Sequence, residues 1–132
     1  MKNTLFAALL LVSATCQSPP AAPTAPAATE VTASVVGDKL PADGCGAHLW
    51  LNIASTSSAS TTYMRLPTEA TRPLFDKLIQ AETAAQPPGT LWMGRKNVVI
   101  RYRETGEKAT LVCGWNTKQI LATVELLDIK AR

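Results

Sequence analysis

The reading of "NVVIRYRETGEKATLVCGW", residues 97–115, decides the fold. Val98, Ile100 and Tyr102 alternate with Val99, Arg101 and Arg103. That period of two belongs to a strand buried on one face. Glu104-Thr105-Gly106-Glu107 is polar and holds a glycine, so it reads as a hairpin turn. Ala109 to Trp115 then returns as a second strand, with Leu111, Cys113 and Trp115 on one side.

Upstream, Pro87-Pro88-Gly89 is a firm stop, and the stretch before it has helical spacing. Leu74, Phe75, Leu78 and Ile79 recur at three and four residues, Thr71 is placed to cap, and Pro73 lies in the first turn, where its missing N–H costs nothing. A helix is expected over about residues 72–85. Val31 to Val36, Ala47 to Ile53 and Tyr63 to Leu66 read as three earlier strands, separated by the Gly37-Asp38 and Pro41-Ala42-Asp43-Gly44 turns and by a polar run over residues 54–62. Downstream, Ile120 to Ile129 fits a helix capped by Thr117 or a strand. Its β-branched residues and the preceding Gly114-Trp115-Asn116 turn favour a strand. The expected fold is α+β: an antiparallel, curled sheet of five to six strands with one helix. A helix between the third and fourth strands is the OB-like order.

The N-terminus reads as an address. Lys2 precedes an uncharged apolar run, Leu5 to Val12, and then Ser13, Ala14 and Thr15. Residues 1–15 therefore have the form of a secretory signal, too short to span a bilayer. Cys16 directly after this run resembles the lipid-attachment cysteine of bacterial lipoproteins, although Ser13 and Thr15 stand where that family carries Leu and Gly or Ala. The resemblance covers the leader alone. It implies cleavage before Cys16, a lipid on that residue and a place in the bacterial cell envelope, facing the periplasm or the exterior. Cleavage after Ala14 and soluble export is the alternative. Residues 16–30 are the anchor and a linker, with Pro19, Pro20, Pro23 and Pro26 but no large apolar residue. Such a chain favours an extended form over a packed one. Residues 31–132 are left for a single small domain.

The chain has three cysteines, an odd number for an exported protein. Lipid on Cys16 leaves Cys45 and Cys113 to pair, as an oxidising compartment favours. Without Lys2 there remain 12 basic against 10 acidic groups, a balance that argues against nucleic acid as the partner.

Chemistry-bearing patterns are sparse. Cys45-Gly46-Ala47-His48 has C-x-x-H spacing, and with Cys113 it offers three ligands to copper or zinc. Paired cysteines would not ligate, so no metal and no cofactor are expected. His48, the single histidine, would be the base of a small hydrolase using Ser55, Ser57, Ser58 or Ser60, with Asp43 or Asp76 orienting it, but no G-x-S-x-G surrounds those serines. Arg101 and Arg103 on one strand face, with Trp50, make the candidate binding surface. The composite expectation is a non-enzymatic accessory domain binding another envelope component.

Overall fold

A computed structural model of the chain describes residues 24–53 and 61–132. The signal segment, Cys16, the start of the linker and the serine-rich run lie outside these residues. Five strands and one helix follow in order: β1 (Thr29–Val36), β2 (His48–Ile53), β3 (Thr61–Pro67), α1 (Arg72–Ala84), β4 (Arg95–Val112) and β5 (Lys118–Ala131). The strands close into a barrel in the order β1-β2-β3-β5-β4. Every pairing is antiparallel except that of β3 with β5, which is parallel at Leu66↔Thr123 and Pro67↔Val124. The fold is thus α+β, with the helix between β3 and β4 in the OB-like manner. The sheet is closed rather than merely curled.

The expected hairpin is corrected here. Glu104–Glu107 is not a hairpin turn, because β4 runs straight through it. Between Glu104↔Val124 and Lys108↔Ala122 the register advances four positions on β4 and two on β5. The surplus is a bulge, and bulges bend a strand without ending it. Gly106 takes a φ of 74°, and the Thr105 hydroxyl donates to the Thr123 carbonyl at 3.0 Å, pinning the bend to β5. The expected five to six strands therefore resolve to five. The chain reverses later, at Gly114–Thr117, where Trp115 and Asn116 have φ of 57° and 55°.

The bend has a long-range result. Arg95, at the start of β4, pairs with Val36, and Cys113, just past its end, lies beside Cys45 in the β1–β2 loop. Both ends of β4 thus reach the same pole of the barrel. The β4–β5 ribbon doubles back, and its distal half (residues 108–122) forms an arm.

Alternation decides what lies inside. Ala33 and Val35, Leu49 and Leu51, Val98 and Ile100, Tyr102, Val124 and Leu126 fill the barrel, and Phe75 of α1 enters from the pole where β3 ends. Leu78 and Ile79 pack against this core, whereas Leu74, expected on the same stripe, is exposed. Thr71 does not cap the helix with its side chain. Its hydroxyl instead accepts the Leu126 N–H at 3.1 Å and so ties α1 to β5. The strand reading of Ile120–Ile129 holds within β5. A second, smaller cluster forms beneath the arm: Leu66, Leu111 and Cys113, flanked by Cys45, Met64, Ala109 and Leu121.

Candidate functional site

The arm and the β1–β2 loop (residues 37–47) are bound to each other by backbone and by sulfur. Lys39 N–H donates to the Cys45 carbonyl at 2.9 Å and Gly44 N–H to the Lys39 carbonyl at 2.8 Å, closing the loop on itself. Gly114 N–H then donates to the Gly44 carbonyl at 2.7 Å and Gly46 N–H to the Val112 carbonyl at 2.9 Å, joining the loop to the arm. The contact needs glycine at residue 114, since a Cβ there would lie 2.6 Å from the Asp43 carbonyl oxygen. Between these bonds Cys45 and Cys113 form the expected disulfide, across 68 residues of sequence. By loop-closure entropy such a bond is worth about 4 kcal/mol.

At the tip of this doubly fixed structure stands Trp115, 90% exposed. Thr117 N–H donates to the Gly114 carbonyl at 3.3 Å, and both residues between them are left-handed. Turns of this kind favour Asn and Gly, and a bulky residue there is an outlier. Ile120, 72% exposed, and the exposed Val112 lie on the arm behind it. The arrangement holds a large amphipathic side chain in water, on a backbone with little freedom to fold it away. The sequence carried a partial signal: Gly114-Trp115-Asn116 was legible as a turn, and Asn116 favours left-handed backbone. Placing Trp115 on the strand face with Leu111 and Cys113 hid its exposure.

The residues expected to form a surface are dispersed. Trp50 projects outward from β2, half-buried, with the Arg95 guanidinium carbon 3.9 Å from the centre of an indole ring. Arg95 is therefore its basic companion, not Arg101 or Arg103. Ser34 stands opposite Trp50 and Glu30 opposite Arg101, so Trp50 and Arg101 lie on either side of β1 and are offset by four ladder positions, roughly 13 Å along the strands. Arg101 is exposed and is registered between Glu30 and Asp128. Arg103 is partly buried, with Nη1 3.3 Å from Glu125 Oε2. The Lys130 ammonium, 2.9 Å from Asp128, holds that carboxyl below its usual range.

His48 is buried on the outer side of β2. Its Nδ1 lies 2.7 Å from the Gly46 carbonyl, which can only accept, so Nδ1 carries the proton in the neutral ring. Nε2 is then a lone-pair acceptor, buried and without a partner among the described residues. Burial pushes the His48 pKa below its ordinary value; the Gly46 bond opposes this, and the charges of Lys39 and Arg95 add to it. The ring is oriented by a carbonyl rather than a carboxylate. Asp76 faces Arg72 at 3.6 Å, and Asp43 ends the 3-10 turn Leu40–Ala42. The sulfurs of Cys45 and Cys113 are joined to each other, and no group of three or more His, Cys, Asp or Glu side chains gathers among the described residues. A shallow groove of about 270 Å³ runs between Leu66 and Pro67 of β3, Thr110 of the arm and Arg72 of α1. Its one cation, Arg72, is already engaged by Asp76.

No family model, curated protein or solved structure matches this chain.

Proposed function

We propose that this chain is an exported, non-catalytic binding domain, held in the bacterial envelope by lipid on Cys16, that engages another envelope component through its disulfide-fixed pole. The observation that carries this reading is Trp115: a 90% exposed indole on left-handed backbone, immobilised by the Cys45–Cys113 bond. Tryptophan is prominent among residues that dominate binding energy, and fixing it before contact removes part of the ordering cost. The disulfide also fits an oxidising, non-cytoplasmic compartment. The tether enters at the other pole: Thr29 opens β1 beside Tyr102, while Val36 ends it at the loops. Trp115 is thus presented away from the point where the tether joins. A non-catalytic role is supported by His48, whose one ring nitrogen is engaged by a carbonyl and whose other is buried.

The test replaces Trp115 with a photo-crosslinking aromatic residue in the full chain expressed in its native envelope. The expected result is a discrete protein adduct that the same probe at exposed Thr32 does not give. Identical adducts from both positions, or none from residue 115, would refute the assignment of the pole. Intact mass of the membrane fraction tests the anchor: cleavage before Cys16 plus acyl chains is expected, and an unacylated chain beginning at Thr15 would overturn it.

A further inference from the structure

The arm has two faces, and the chain covers one of them. Residues opposite each other in an antiparallel pair put their side chains on the same face, and the face changes with every step along a strand. Ala109, Leu111, Cys113 and Leu121 turn inward, where they form the small cluster with Leu66 and Met64. The alternate rungs, Lys108↔Ala122, Thr110↔Ile120 and Val112↔Lys118, therefore turn outward. Ala122 is partly buried and the other five are exposed. Ile120 is 72% exposed and Val112 39%, with Trp115 at the end of the same ribbon. Apolar side chains thus run down the middle of a sheet face that lies open among the described residues.

The charge on this face has one sign. Lys108 and Lys118 stand at its diagonal corners, four positions along the ladder and one strand across, roughly 14 Å apart. Residues 108–122 contain no Asp or Glu. Arg65, Arg72, Lys96, Arg103 and Lys130 are each held by a carboxylate, whereas Lys108 and Lys118 are in no ion pair among the described residues. In the adjoining loop the Asp38 carboxylate accepts the Leu40 N–H at 2.9 Å. The Cys45–Cys113 bond holds the arm that carries both cations.

We propose that the outward face of the arm docks an acidic protein surface: an apolar strip that covers Val112 and Ile120, flanked by carboxylates that pair with Lys108 and Lys118. This rests on the reading of the Trp115 pole as a binding site and names the chemistry of its partner. Two other occupants match the face less well. Anionic membranes are recognised by clusters of about four to eight cations, and this face offers two. A second copy laid face to face would bring four ammonium groups together and supply no carboxylate from its own arm. A foreign acidic surface satisfies both the charge and the apolar centre. The two kinds of contact divide the work. Trp115 and Ile120 supply the area that holds the partner, while charges at the rim steer its approach and exclude the wrong ones. The lysine stems also extend the apolar cover at the corners, with each ammonium kept at the edge.

The test uses the full chain in isolated native envelopes, with the photo-crosslinking residue in place of Trp115 reporting capture. Adding Lys108→Glu and Lys118→Glu together should cut the protein adduct about tenfold, because like charges then face each other across the contact. Lys77→Glu, at an exposed position of α1, should leave it unchanged. Circular dichroism and the urea midpoint of the double variant should match the parent, since both lysines are exposed. Should the reversal disturb the fold, Lys108→Gln with Lys118→Gln gives a second reading: adduct yield falls as salt rises in the parent and should become insensitive to salt in this variant. A third measurement needs no substitution. A carbodiimide joins an amine to a carboxylate in direct contact, so treated wild-type envelopes should yield an amide between Lys108 or Lys118 and an Asp or Glu of the protein captured from residue 115. An adduct undiminished by the reversal, a captured protein that is this chain itself, or one with no carboxylate coupled to either lysine would overturn the acidic partner and leave the pole assignment standing. No adduct from residue 115 in the parent, or a phospholipid adduct in place of a protein, would overturn both.

Discussion

Trp115→Asn is expected to make the protein more stable and worse at its work. A left-handed backbone costs a non-glycine residue about 1–2 kcal/mol, and Asn visits that region more easily than Trp. Against this gain stands lost burial. Trp115 is 90% exposed, so about a tenth of its side chain touches protein. A tryptophan presents up to about 250 Å², which leaves ~25 Å² of contact. At 25 cal/mol per Å² its removal costs about 0.6 kcal/mol. The net expectation is a gain of roughly 0.5–1 kcal/mol, which for a domain of this size raises the melting temperature by about 2–6 °C. Urea denaturation gives the free energy and thermal denaturation the midpoint. Parallel capture of the partner by the variant, crosslinked with an amine-reactive reagent, should be lost. A destabilisation beyond about 0.5 kcal/mol would mean that Trp115 packs against the molecule, and undiminished capture would mean that it is not the contact.

Replacing both Cys45 and Cys113 with Ala should lower stability by about 4 kcal/mol from loop closure alone, with further loss from the satellite core of Leu66 and Leu111; a urea midpoint within error of wild type would refute the structural role of the bond. His48 should make the fold sensitive to mild acid. Its folded pKa lies below its ordinary value of 6.5, so the unfolded chain takes up the proton first as pH falls; its contribution is complete above 6.5, declines as pH drops through 6.5 toward the folded value, and levels below that. Urea midpoints at pH 8 and 5.5 should therefore differ more for wild type than for His48→Gln, and equal differences would sink the idea. Arg103→Ala should cost about 0.5–1 kcal/mol through its pair with Glu125, whereas exposed Arg101→Ala should stay within about 0.5 kcal/mol; the reverse ranking in urea melts would show that the two residues have been assigned to the wrong environments.

Local pattern was legible where one face of an element is buried. The alternation of residues 97–103 reports a strand because Val98 and Ile100 point into the barrel, whereas residues 120–129 fit a helix as well and were assigned to a strand on their β-branched residues and the turn before them. The helix was legible from Pro73 and from the Pro87-Pro88-Gly89 stop, both local signals. Glu104–Glu107 misled because a glycine among polar residues suits a bulge as well as a turn. What selects the bulge is distant: β4 must continue until Cys113 meets Cys45. The Thr71 hydroxyl was misread for a similar reason, since its partner Leu126 lies 55 residues on. Trp50 was grouped with Arg101 and Arg103 because sequence shows which residues share a strand, not which neighbour crosses over from the next. Arg95 reaches Trp50 from β4 across β1, and only the closed barrel places it there.

The position of β1 has a mechanical consequence. Through Thr29 it joins the proline-rich segment before it, and it lies between β2 and β4, antiparallel to both. Tension drawn along that segment would run parallel to the strand, and so would shear both ladders at once instead of unzipping them one bond at a time. Rungs loaded together share the force, and none can yield until many do. Should β1 pull free, unravelling would advance only to Cys45 before the sulfur bridge stopped it, with the whole span to Cys113 held out of the extension. A domain pulled from this end would thus lose one strand at most before meeting a covalent stop, and the tip carrying Trp115 lies on the far side of that stop.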